Sequence, residues 1–432
     1  MQQLLVSKSE PLTGTITISG SKNGTLPLLA AAMLIEGETI IENVPAIHDV
    51  DTMLQMLQAV GIKCTFIGPG VLKIDATDIS SCQAPYHLVR QMRGSFYVAG
   101  PLLGRLGEAQ VPLPGGCVIG SRPVDFHIAG FKALGAQVEE TYGIMRAQAP
   151  RGLHGTRIYL DPRWCSVGAT VNLMLAATLA EGTTVIENAS CEPEVVACEQ
   201  FLKQCGAQIY GIGSNMLTIR GVKKLQGTRF TSIPDRIEAG TFMYAVAITG
   251  GDVVFKNIRT DHMTRVIDHL REAGVRVETN DTELRVIASG DRPHPVDITT
   301  APYPGFPTDL QPAHGALVAR ALGTSVLEET IFDARYNYTD ELARMGADIR
   351  IAGQLAIIKG VPKLTGAPVQ ATDVRAAAAL VLAALAAEGQ TVIEGAEFLD
   401  RGYENFEAKL RATGATMVRR DGGNHRKLLC LA

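Results

Sequence analysis

Cys117 and Arg122 stand five residues apart in the run Pro112-Leu113-Pro114-Gly115-Gly116-Cys117-Val118-Ile119-Gly120-Ser121-Arg122-Pro123. Glycine and proline at this density predict an exposed loop that could serve as a lid. A cation near an exposed cysteine stabilises the thiolate and makes the sulfur reactive. Cys64, Cys198 and Cys205, in apolar or helical settings, read instead as inert core thiols. A second set of residues suits anions. Lys22, Arg93, Arg236 and Arg375 each precede a recurring glycine by nearly the same stretch of chain, with Ser166 and Asp309 in the matching places. These places begin helices, whose free N–H groups and positive end attract anions. A cation there strengthens that attraction while opposing its own helix dipole. One arginine beside a capping Asp235, Thr372 or Asp373 would be an ordinary solvated side chain. The whole set points to a pocket for an anion-rich substrate between two domains. His127 follows on a helical stretch, where packing and chemistry are both open. No His/Cys/Asp cluster has metal-ligand spacing, and neither a GxGxxG nor a P-loop is present, so neither a metal nor a cofactor is expected.

The elements that position these residues repeat. A glycine followed by a short β-rich run recurs at Gly37, Gly107, Gly182, Gly251, Gly323 and Gly389, at nearly even intervals of roughly 70 positions. Gly107 and Gly323 open the weaker copies. A second glycine follows in each unit, at Gly61, Gly135, Gly206, Gly274, Gly346 and Gly414, with offsets of 24, 28, 24, 23, 23 and 25. Only the unit holding Cys117 departs from the narrow range, and its extra residues fall in the loop above. Each unit reads as helix, Gly, strand, loop, helix, Gly, strand, then further β-rich sequence. The helices before the first glycines are apolar on nearly all faces, as in Leu26–Ile35, Leu173–Leu179 and Ala376–Ala387. Such helices must be buried on all sides, so sheets are expected to pack around them. Six units group as three plus three, with a crossover near Thr231–Asp235.

The composition agrees with an α/β chain of two or three domains. Of 432 residues, 46% are apolar and 19% charged, enough apolar sequence for a large core. Forty Lys and Arg against 44 Asp and Glu give a net charge of −4 without like-charge runs, which excludes a broad basic face for nucleic acid. The longest apolar run, Ala376 to Ala387, falls short of the roughly 18 residues needed to cross a membrane. The N-terminus shows no signal-peptide pattern, and eight cysteines without a CxxC pair read as reduced thiols, so a cytoplasmic protein is expected.

Four motifs in collinear order carry a resemblance: Ser21-Lys22-Asn23; Leu113-Pro114-Gly115-Gly116-Cys117-x-Ile119-Gly120-x-Arg122-Pro123-Val124-Asp125; Phe306-Pro307-Thr308-Asp309; and Asp400-Arg401-Gly402-Tyr403-Glu404. Together they resemble the enolpyruvyl transferase superfamily over essentially the whole chain, and the Cys117 loop resembles its UDP-N-acetylglucosamine branch rather than its shikimate-phosphate branch. The resemblance implies a two-domain inside-out α/β barrel of six β-α-β-α-β-β repeats. Residues 22–232 would form one domain, residues 1–21 plus 233–432 the other, with the active site in the cleft between them. It implies that phosphoenolpyruvate transfers its enolpyruvyl group to the 3-hydroxyl of UDP-N-acetylglucosamine with release of phosphate, the first committed step toward peptidoglycan. By the same likeness Cys117 is the general acid and can form a covalent adduct with phosphoenolpyruvate. Asp309 is the base or the group that orients the hydroxyl. Lys22, Arg122 and Arg401 would hold phosphate and carboxylate, and Arg93, Arg335 and Arg375 match further substrate-facing arginines. Arg122, Pro123, Val124, Asp125 and Phe126, with Cys165, Ser166 and Val167, match uridine-diphosphate-binding stretches; Asn23 and Ile331 match acceptor contacts. A reactive Cys117 also implies inactivation by the epoxide fosfomycin.

The departures from the family pattern lie on the acceptor side. Trp164, preceded by Arg163, stands where a lysine is usual, and its ring could stack on a base or cap the core. Tyr97 replaces a common tryptophan, and Phe398 a polar residue. These changes leave open a paralogue acting on another uridine nucleotide, such as UMP. Intact Lys22, Cys117, Asp309 and Arg401 argue against a silent ligand-binding paralogue, and the motifs and charge argue against an RNA-terminal cyclase.

Overall fold

The computed structural model describes residues 2–114, 124–161 and 165–421. The repeats read from the glycines are physical units of an α/β fold. Each carries a buried inner helix, a strand, an outer helix and strands returning antiparallel. The inner helices are Lys22–Ala32, Ala99–Leu106, Val167–Ala177, Arg236–Thr249, Gln311–Val318 and Val374–Ala386. Their sequences explain their place: every residue from Arg375 to Ala386 is buried, as is every residue of Gln311–Val318. Small residues let these helices approach closely. A Cβ on Gly100 would lie 2.3 Å from the Asn172 carbonyl oxygen. The outer helices end at Gly61, Gly135, Gly206, Gly274, Gly346 and Gly414, all with φ between +93° and +110°, a conformation that only glycine adopts without strain.

The described residues group into two compact units, residues 19–235 and residues 2–18 with 236–421, each with its own hydrophobic core. Each unit contains three sheets. In the first, Arg229–Thr231 from the third repeat runs parallel to Glu38–Glu42 of the first, so the unit's last linking strand closes on its first repeat. Arg157–Tyr159 plays the same part beside Thr183–Glu187. In the second repeat this linking strand shrinks to a bridge between Gln83 and Gln110, which leaves a three-stranded sheet. In the other unit, Leu12–Thr17 lies parallel to Gly251–Lys256. Gln2–Ser7 is inserted between Gln390–Glu394 and Met417–Asp421, antiparallel to both, with Leu4 opposite Ile393 and Arg419. Gln2–Ser7 thus supplies an inner strand of the sixth repeat's sheet. No helix among the described residues is long and apolar enough to cross a membrane.

Candidate active site

The first candidate cluster sits where the chain enters the first inner helix. Ser21, in extended conformation, caps that helix by accepting from Gly24 N–H through Oγ. Lys22 therefore becomes the first helical residue, with its N–H unused by the helix. That N–H donates to Asp235 Oδ2 at 3.0 Å. The Lys22 ammonium is held by Asp49 Oδ2 at 2.7 Å, and the two side chains are only 12% and 6% exposed. Asp49 belongs to the first turn of the outer helix His48–Ala59, so a negative side chain meets a positive helix end. Sequence reading missed Asp49, because an acid at a helix start carries no signal beyond the dipole. Asn23 is half-buried beside Lys22.

Elsewhere in this unit, Arg93 opens the 3₁₀ turn Arg93–Val98 that leads into the second inner helix. Val124 is buried, Asp125 is exposed as the first residue of the helix Asp125–Ala133, and Phe126 is half-buried against the core. His127 follows, buried, with its ring edge-on to Phe96 at 5.0 Å between centroids. Asn172 orients it. Asn172 Oδ1 accepts Gly100 N–H at 2.8 Å, so its Nδ2 must donate, to the Phe96 carbonyl at 2.9 Å and to His127 Nδ1 at 3.0 Å. His127 Nδ1 is therefore an acceptor, and the neutral ring carries its proton on Nε2. Burial, reinforced by the charge of Arg93, pushes the His127 pKa down to about 3. The imidazole edge with Nε2 faces Gly168, where a Cβ would stand 3.3 Å away. There Ser166 caps the third inner helix, its Oγ accepting Ala169 N–H at 3.2 Å, and Val167 begins it. Cys165, just before, lies 3.4 Å from Ser190 Oγ, and burial pushes its thiol up to about 11. Burial thus keeps the Cys165 thiol protonated near neutral pH.

The second cluster, in the other unit, centres on Asp309 in the 3₁₀ turn Thr308–Leu310 before the fifth inner helix. Its Oδ1 accepts from Arg335 Nη2 and its Oδ2 from Arg375 Nη2, both at 2.8 Å. Both arginines are buried, with side chains 4% and 5% exposed. Two guanidinium groups thus clamp one carboxylate, one on each oxygen. Arg375 reaches this place because Asp373 caps the sixth inner helix through Arg375 and Ala376 N–H groups. Its guanidinium lies 5.3 Å from the Tyr403 ring centroid, and the Tyr403 hydroxyl is 3.0 Å from Thr241 Oγ1. Arg401 closes the 3₁₀ turn Ala396–Arg401 and is half-buried. Its neighbour Asp400 faces elsewhere, taken by both Nη atoms of Arg419. Ile331 is half-buried after the strand Thr324–Glu328. Arg236 begins the fourth inner helix, its guanidinium 5.7 Å from the Tyr303 ring centroid.

The structure thus brings Asp309, Arg335 and Arg375 into direct contact, and in the other unit joins Lys22 to Asp49. Cys117, Arg122, Pro123 and Trp164 lie outside the described residues. Burial pushes the Cys64 and Cys205 thiols up to about 12 and raises Cys198 as well, which keeps all three protonated near neutral pH.

Comparison with known proteins extends over nearly the whole chain. Residues 6–410 match the family of EPSP synthase (3-phosphoshikimate 1-carboxyvinyltransferase). A UDP-N-acetylglucosamine 1-carboxyvinyltransferase 2 from Carboxydothermus hydrogenoformans is 50% identical over 420 residues, covering 97% of this chain and 99% of its own. A UDP-N-acetylglucosamine 1-carboxyvinyltransferase 1 from Caldanaerobacter subterraneus is 49% identical over 419 residues, with the same coverage. Among solved structures, the enolpyruvyl transferase NikO from Streptomyces tendae superposes with a TM-score of 0.88 at 25% identity, covering 98% of this chain and all of that one. The EPSP synthase of Acinetobacter baumannii shares the fold, with a TM-score of 0.76 at 21% identity over 98% of this chain and all of its own.

Proposed function

The chain belongs to the EPSP synthase family of enolpyruvyl transferases, and we propose that it is the member acting on UDP-N-acetylglucosamine. The observation that carries this reading is the 50% identity to a protein of that name across 97% of one chain and 99% of the other. The enolpyruvyl transferase NikO, at 25% identity, is more distant, and another uridine nucleotide as acceptor has no likeness of comparable strength behind it.

In the proposed reaction the 3-oxygen of the sugar bonds to C2 of phosphoenolpyruvate while C3 takes a proton from Cys117. The hydroxyl proton passes to Asp309 or to solvent beside it. The tetrahedral adduct then passes a proton from C3 back to the thiolate that the first step left at Cys117, its bond to the phosphate oxygen breaks, and phosphate leaves with the double bond restored. Fixed cations stabilise negative charge where it builds up, and Lys22 and Arg401 with Arg122 fill that role here. Arg93 supports the same anions. A guanidinium on each oxygen fixes the Asp309 carboxylate in place, as either the base or the group that orients the hydroxyl requires. Val124, Asp125, Phe126, Cys165, Ser166 and Val167 contribute to the uridine-diphosphate site, with Pro123 and Trp164. Asn23, Ile331, Arg335 and Arg375 face the acceptor.

The reaction would occur in the cytoplasm and commit the sugar nucleotide to peptidoglycan, linking the chain to cell-wall growth and division. Incubation with both substrates, followed by mass and NMR analysis of the nucleotide product, tests it. An enolpyruvyl ether at the 3-oxygen is expected; recovery of unaltered UDP-N-acetylglucosamine would reject the assignment.

A further inference from the structure

The fifth repeat departs from its siblings at one position. Six residues after the first glycine, four repeats place Asn43, Asn188, Asn257 and Gly395. All four have left-handed backbone, with φ of +56°, +57°, +55° and +81°. The three asparagines donate from Nδ2 to a carbonyl of the neighbouring linking segment: Asn43 to Ser232 at 2.9 Å, Asn188 to Leu160 at 2.9 Å and Asn257 to Ile18 at 2.7 Å. In these three repeats the position is thus a donor that staples the first strand to its linking segment. The second repeat has Leu113 there, at the entrance to the Cys117 loop, and the fifth has Glu329.

Glu329 reverses the chemistry of the staple. It is fully buried, and all four of its side-chain bonds are accepted ones. Oε1 accepts from Thr300 Oγ1 at 2.9 Å, Ile331 N–H at 2.9 Å and Phe332 N–H at 3.2 Å, while Oε2 accepts from Thr308 Oγ1 at 2.9 Å. Thr330 completes the joint by donating N–H to Thr300 Oγ1 and its hydroxyl to the Thr300 carbonyl. A buried carboxylate is costly unless donors surround it, and an asparagine performs the simple staple three times elsewhere. What an oxygen here does, and the asparagine staple does not, is accept the Ile331 and Phe332 amides in one frame with Thr308. Thr308 is the chain neighbour of Asp309. The Phe332 ring lies 5.6 Å from the guanidinium of Arg335, which is bonded to Asp309.

We propose that Glu329 is a positioning residue for the acceptor side of the reaction, an inference that rests on the function proposed above. It sets Asp309 through Thr308, and Ile331 and Arg335 through the 331–332 amides. Glu329→Gln and Glu329→Leu test it. Glutamine keeps an oxygen for the two amides and an NH₂ that Thr308 Oγ1 can accept; leucine leaves both amides buried without an acceptor. The Gln variant should retain kcat within about 5-fold, while the Leu variant loses about 100-fold, the scale of an ångström misplacement. The Leu variant's KM should rise for UDP-N-acetylglucosamine and stay within about 2-fold for phosphoenolpyruvate. Amide hydrogen exchange at Ile331 and Phe332 should accelerate at least about 10-fold in Leu relative to Gln. A folded Leu variant with wild-type kinetics, or a Gln variant as impaired as Leu, would overturn the proposal. If the Leu variant does not fold, Thr308→Val cuts the link to Asp309 alone. A fall in kcat of about 10-fold at unchanged Tm is then expected, and unchanged kcat would overturn the proposal. A wild-type enzyme inactive on UDP-N-acetylglucosamine would reject the functional reading instead, and the amide exchange would still decide the brace.

Discussion

The ammonium of Lys22 lies 2.7 Å from the Asp49 carboxylate, and both side chains are nearly closed to solvent. Removing one member of such a pair strands the other charge, at a cost of about 3 kcal/mol or somewhat less for a partly exposed lysine. A bound anion would replace the lost carboxylate. Asp49→Asn should therefore lower the Tm of the ligand-free protein and enlarge the rise in Tm on adding phosphoenolpyruvate. Thermal shift with and without that ligand measures both, and a smaller rise in the variant would separate Lys22 from anion binding.

Asp309 is the common counter-charge of Arg335 and Arg375. Asp309→Ala should lose turnover by about 10²–10⁴-fold and also lose about 3–5 kcal/mol of stability, since two buried cations are left facing each other. Asp309→Asn keeps the shape and should retain more stability than Ala without regaining turnover. Steady-state kinetics beside chemical denaturation separate the two effects; an active Ala variant would remove Asp309 from the chemistry.

Cys117→Asp should keep turnover if the residue supplies only a proton, and should resist fosfomycin because the nucleophilic sulfur is gone. Cys117→Ser should nearly abolish turnover, since a hydroxyl is too weak an acid. Full activity of the serine variant would contradict the acid role.

Glu199 is fully buried in the helix Pro193–Gln204, with Oε2 accepting Gly213 N–H at 2.9 Å and Oε1 unpaired. Burial pushes its pKa up to about 7. Between its ordinary value near 4.5 and 7 the folded chain holds a proton that the unfolded chain has released. This contribution to stability is therefore complete below that window and lost as pH rises through it. Glu199→Gln removes the charge altogether, so its Tm should match the wild type near pH 5 and exceed it by roughly 2–4 °C near pH 8. Equal differences at both pH values would show that Glu199 does not titrate there.

Much of the fold is legible in the glycines, because a helix stop followed by a strand needs the left-handed conformation at the same place in every repeat. Gly61 through Gly414 show it six times. The inner helices are legible too, since an all-apolar run such as Ala376–Ala387 has no face for water. What the spacing hides is the partner of each site residue. Asp49 reaches Lys22 from the next helix of the same repeat, and Asp309 meets Arg375 from the next repeat along the chain, pairings that only packing creates. Glu329 was hidden differently: it stands out only when the repeats are aligned and its position is seen to be a donor elsewhere. His127, open between packing and chemistry in the sequence, is a buried neutral ring fixed by Asn172.

Phosphate release from phosphoenolpyruvate with UDP-N-acetylglucosamine, UMP or no acceptor, each with and without fosfomycin, tests the proposed reaction most directly. Rapid release only with the UDP-sugar, abolished by fosfomycin, is the predicted result. Release with UMP and not with the sugar nucleotide would contradict it and make Trp164 the residue to explain.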